Sequence, residues 1–95
     1  MRFVVIVHRK EEYKPEDFAP HLDAEANRAM QLYAEEKFRE IYSRVDGKGA
    51  VVVIEAGSEA EAREQLRSLP LARLDMLRFD IYGVKPYRGF VAGIT

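Results

Sequence analysis

The chain has 95 residues, 15 of them basic and 16 acidic, for a net charge near −1. That length fits one domain, and the charge balance lacks the basic stripe with which nucleic-acid binders meet phosphates. There is no cysteine, which excludes disulfides and thiol catalysis.

The first residues, "MRFVVIV", hold a short apolar run rich in valine. It is too short for a signal h-region or a membrane span, so a soluble, cytoplasmic chain is expected. The run reads as a strand covered on both faces. "KEEYKPEDFAP" reads as a polar connection, and Pro20 is placed to start a helix. From His21 to Lys37 the residues are good helix formers, with Leu22, Ala26, Ala29 and Tyr33 as the apolar stripe and Met30 beside it. "KFREIYSRV" is strand-like, "DGKG" is a hairpin turn, and "AVVVIEA" is a third strand, apolar on both faces. Ser58 and Glu61 form a capping-box pattern for a second helix, with Ala62, Leu66 and Leu69 facing inward and Pro70 ending it. "LDMLRFDIYGV" is the fourth strand, and residues 84–95 form a tail expected to pack on a neighbouring subunit.

The order β-α-β-β-α-β is the ferredoxin-like α+β arrangement: an antiparallel four-stranded sheet with two helices on one face. In a lone domain the other face meets water and should alternate polar with apolar. Val4, Val5, Ile6, Val51, Val52 and Val53 leave the central strands no polar face. Two sheets facing one another in a homodimer solve this. A chain this short, which buries only roughly 60–65% of its unfolded surface, would also gain from association. Alternation in the second strand groups Phe38, Glu40, Tyr42 and Arg44 against Arg39, Ile41, Ser43 and Val45. In the fourth it turns Met76, Arg78, Asp80 and Tyr82 toward the space between sheets.

Nearly the whole chain, through residue 88, resembles the muconolactone delta-isomerase family of the dimeric α+β-barrel superfamily. The resemblance lies in "MRFVVIV", in "HLDAEANRAMQLYAEEKFREIYSRVDGKGAVVVIEA", and in "LRSLPL" followed by "FDIYGVKPY". Phe38-Arg39, the Asp46–Gly49 hairpin, Leu69-Pro70-Leu71 and Asp80 stand where that family has equivalent features. Glu25 matches an acidic position of its first helix. The sequence departs from the family at Glu40 and Tyr42, where the isomerases have a histidine and a tryptophan. It also carries two extra residues before the last strand. A second resemblance, through "VKPYRGF" and "HL" at 21–22, is to the YCII-related proteins, but "LPL" lacks the aspartate of their dyad.

The first resemblance implies a cofactor-independent isomerase acting on a small unsaturated lactone or organic acid. Such a reaction needs one base that also returns the proton and a donor for the enolate oxygen, and no metal or cofactor. Glu40 or Glu25 is the candidate base. Tyr42, Arg39, Arg78 and Tyr82 are candidate oxyanion donors, and Arg78, Asp80 and Tyr82 are candidate substrate contacts. The competing reading is a seam salt bridge such as Glu40 with Arg78, in a binding or structural oligomer without catalysis. A cofactor-free monooxygenase is a further alternative within the superfamily. His8 reads as a strand-end surface residue or a proton shuttle, and His21 as a helix-start residue. The two are separated by twelve residues, which matches no metal spacing. The expected partners are a second copy of the chain and a small molecule, with neither nucleic acid nor membrane.

Overall fold

The computed structural model describes residues 1–91. Strand β1 (Arg2–Arg9) is followed by α1 (Pro15–Phe18), a 3₁₀ turn (Ala19–His21) and α2 (Leu22–Ala34). The hairpin of β2 (Phe38–Ser43) and β3 (Gly49–Glu55) comes next. Then follow α3 (Glu59–Arg67), α4 (Pro70–Arg73), β4 (Leu77–Val84) and α5 (Arg88–Val91). The strands form one antiparallel sheet in the order β2-β3-β1-β4. This is the ferredoxin-like α+β fold.

Alternation along the strands sorts the two faces. Phe3, Val5 and Val7 of β1 lie beside Ile54, Val52 and Ala50 of β3, and toward Phe79 and Ile81 of β4. This face packs under the helices, where Leu32 of α2 and Ala62 and Leu66 of α3 are fully buried. Each large aliphatic side chain removed from water in this way contributes roughly 1.5–3 kcal/mol. The capping box of α3 is built as a variant of the expected one. Ser58 Oγ accepts from the Glu61 N–H at 3.2 Å, while the Glu61 carboxylate accepts from Gly57 rather than Ser58, at 2.8 Å.

Four local readings change. The connection after β1 is not merely polar: Pro15 opens α1, and Phe18 at its end is buried in the core. In α2 the buried residue is Leu32, whereas Leu22 and Tyr33 of the expected stripe, and Met30 beside it, are exposed. A β-bulge between Phe38 and Glu40 leaves Arg39 as the extra residue. Phe38 therefore shares the helix-side face with Ile41 and Ser43, and Glu40 and Tyr42 take the opposite face. Finally, β4 begins at Leu77, because Asp75 adopts a left-handed conformation (φ 58°) and breaks the alternation. Met76 is thereby buried in the core instead of lying beside Arg78.

The second face of the sheet has no helix over it. It carries Val4, Ile6, Val51 and Val53, all half-buried, flanked by the exposed rings of Tyr42 and Tyr82. Among the described residues, no helix is long and apolar enough to cross a membrane.

Candidate active site

A cavity of about 430 Å³ opens between the helix-side face of the sheet and the first half of α2. Its floor is Val7, Phe38, Ala50 and Val52, its roof Leu22, Ala26, Ala29 and Met30, and its end wall Leu69, Leu71 and Leu77. The expected stripe of α2 thus borders a void instead of filling the core, which is why Leu22 and Met30 stay exposed. The size and apolar lining suit a small organic ligand. Among the described residues three polar side chains reach this lining: Arg9, Glu25 and Ser43.

Glu25 sits in the first turn of α2, where the helix dipole favours a negative charge. Its Oε1 accepts a hydrogen bond from the Leu71 backbone N–H at 2.9 Å. Pro70 has no N–H, so Leu71 supplies the first free donor of α4. Leu-Pro-Leu therefore does two things here: it ends the helical run of α3, and it grips the carboxylate. Oε2 has no hydrogen-bond partner among the described residues. Burial pushes the Glu25 carboxyl above its ordinary value, opposed by the Leu71 N–H and by the positive charge of Arg9.

Arg9 is a lining residue that the sequence motifs do not single out, although alternation places it: it continues the Phe3-Val5-Val7 face of β1. Its guanidinium lies over the Phe18 ring, 4.6 Å from the centroid. Among the described residues that guanidinium donates no hydrogen bond and forms no ion pair.

The other candidates lie away from the cavity. Glu40 and Tyr42 are exposed on the opposite face, where the Tyr42 hydroxyl donates to Glu40 Oε1 at 2.6 Å, a bond that raises the Tyr42 pKa. Arg39 is exposed at the bulge, and Tyr82 is exposed on β4. Glu40 and Arg78 cannot pair within one chain, since β2 and β4 are opposite edges of the sheet.

Arg78 and Asp80 belong instead to a polar chain across one end of the open face. Arg78 Nη1 donates to Asp80 Oδ1 at 3.0 Å, and His8 Nε2 meets Asp80 Oδ2 at 2.8 Å. Arg44 Nη1 lies 3.0 Å from His8 Nδ1, while its Nη2 donates to Asp46 at 2.6 Å. An arginine can only donate, so Nδ1 accepts and the ring proton on Nε2 is given to Asp80. The His8 hydrogen bond, then the positive charge of Arg78, hold Asp80 below its ordinary pKa. Every member of this chain is engaged, so it offers no free base. Among the described residues no group of three His, Asp or Glu side chains is arranged to hold a metal.

No protein-family model matches the sequence, and no curated protein matches it. Solved structures do. Muconolactone isomerase superposes with a TM-score of 0.73 over 100% of this chain and 96% of its own, at 19% identity. The fold is that of muconolactone isomerase. A second match is 5-chloro-2-hydroxyhydroquinone dehydrochlorinase from Burkholderia phenoliruptrix, solved in complex with 2,5-dihydroxybenzoquinone. It has a TM-score of 0.73 at 15% identity, over 90% of this chain and 94% of its own. The muconolactone isomerase fold is thus shared at low sequence identity.

Proposed function

We propose that the chain is a cofactor-independent proton-transfer enzyme of the isomerase type, acting on a small unsaturated lactone or organic acid. The observation that carries this reading is Glu25. It is a half-buried carboxylate, fixed through one oxygen by Leu71 and free at the other, facing an apolar cavity. Burial raises its basicity toward that needed for a carbon acid. In the reaction, Oε2 takes a proton from carbon next to the conjugated system. The C–H pair spreads as a dienolate onto the carbonyl oxygen, and Glu25 delivers a proton, the abstracted one or one exchanged with solvent, to the far carbon. Atoms and charge balance with no other reactant. The names of the two structural neighbours agree with small unsaturated cyclic substrates.

The test is incubation with muconolactone in D2O, following deuterium incorporation and product by NMR. Wild type and Glu40→Gln should turn over alike, and Glu25→Gln should not. Equal rates for wild type and Glu25→Gln would remove Glu25 as the base. Binding with neither product nor exchange in any variant would favour a ligand-binding protein, and oxygen consumption would favour a monooxygenase.

The reading extends to assembly. Two copies would pack through their open sheet faces, covering Val4, Ile6, Val51 and Val53. The tail would lie on the neighbouring subunit. Its Tyr87 and Phe90 stack edge to face at 5.9 Å and are left 73% and 76% exposed in a single copy. Residues 92–95 of that tail lie outside the described residues.

A further inference from the structure

We propose that Arg9 is the specificity-determining residue of the α2 cavity, and that it selects a small organic acid by binding its carboxylate. The inference rests on reading that cavity as a ligand site. It is carried by two unlike charges that share one apolar cavity without pairing. Arg9 and Glu25 both line it, yet no ion pair joins them, and Arg9 has no other hydrogen-bond acceptor among the described residues. A partly buried guanidinium with its donors unspent is costly unless something completes it. Meanwhile the Phe18 ring, itself 2% exposed, holds the guanidinium of this cavity-lining arginine 4.6 Å from its centroid. A carboxylate is the planar partner that a guanidinium meets with two parallel hydrogen bonds.

The remaining lining decides the body of the ligand. Val7, Phe38, Val52 and Leu77 offer no hydrogen bond, so the rest of the molecule should be apolar, with at most a single polar group near Ser43. A ligand gripped by Arg9 at its acid end would lie across the gap and present its carbon framework to Glu25. This orientation keeps its charge away from the Glu25 carboxylate. Arg9 also borders the groove of His8, Lys10, Arg44, Lys48 and Arg78, but there the other cations are largely committed to Asp46, Asp75 and Asp80, and the apolar walls that would take the body of the ligand are on the α2 side.

The experiment titrates 15N-labelled protein with benzoate and with benzamide, its neutral isostere, neither of which has a proton for Glu25 to move. Benzoate should bind tighter by on the order of tenfold or more, the value of a charge-assisted hydrogen-bond pair. The shifts should map to Val7, Ala50 and Leu71. Arg9→Gln should bring the two ligands to within about twofold of each other, and Arg9→Lys should restore only part of the preference. Three results would overturn the proposal: equal affinities in wild type, shifts confined to the His8 groove, or a preference that survives Arg9→Gln. If Arg9→Gln does not fold, the wild-type ligand comparison and Arg9→Lys still decide it. The outcome is separable from catalysis: acid selection without turnover of muconolactone would sink the enzyme reading alone, and turnover without acid selection would sink this one alone.

Discussion

Glu25 of α2 and Leu71 of α4 are 46 positions apart, and a 2.9 Å hydrogen bond joins the carboxylate of the first to the backbone N–H of the second. Through it the Leu-Pro-Leu segment fixes the direction of Glu25, the one carboxylate among the described residues that lines the α2 cavity. Replacing Glu25 with Gln keeps an acceptor for Leu71 and deletes the base. Turnover should fall by roughly 10²–10⁴-fold, the usual size of a lost general base. Steady-state kinetics on muconolactone would check it.

The same change should stabilise the fold. The folded-state pKa of Glu25 is raised, so its contribution to stability is present below the ordinary value of 4.5 and is lost as pH rises through the folded value. At pH 7 the wild-type protein therefore holds a partly desolvated charge that Glu25→Gln lacks. A thermal melt should show the variant a few degrees more stable at pH 7, with the gap closing below pH 4, an effect kept small by solvent screening.

Activity should follow the ionised form of Glu25. The rate rises with pH, and its midpoint lies above 4.5 because burial outweighs the Leu71 N–H and Arg9. Arg9→Gln removes an opposing positive charge, so the midpoint should move to higher pH still. A pH profile of kcat/KM for the two proteins would check the order.

Gly49 should not tolerate a side chain. Its φ is 150°, and a Cβ there would overlap the Val7 carbonyl on the neighbouring strand. Gly49→Ala should cost several kcal/mol, on the order of a large core truncation, and distort the floor of the cavity beside Ala50. Gly47, also at positive φ (73°) but with open space around it, should lose less on the same change. Paired urea melts would rank them.

Val51→Asp places a charge at the centre of the open sheet face, opposite Ile6 and Tyr42. If that face seats a second copy, light scattering should show the variant as a monomer and wild type as a dimer at the same concentration. The helix-side core is untouched, so circular dichroism should be unchanged.

Short-range chemistry made much of this molecule readable from the chain. The valine-rich runs, the Asp-Gly turn, the Ser58 cap and the break at Pro70 each act within a few residues, and they yield the element order and the face of each central strand. Glu25 was legible through resemblance, and Arg9 was available from the alternation of β1. The readings that changed are those where one residue alters a period. Arg39 in its bulge returns Phe38 to the core side and sends Glu40 and Tyr42 to the other. Asp75 in its left-handed turn does the same for Met76.

What no local pattern contains is the cavity. It exists because α2 packs by Leu32 at its far end and stands off the sheet at its near end. It matters because α4 delivers a backbone N–H to a carboxylate that the chain passed 46 positions earlier. Patterning tells each residue which way to face; only the packing of distant elements decides which facing residues meet, and where they leave room.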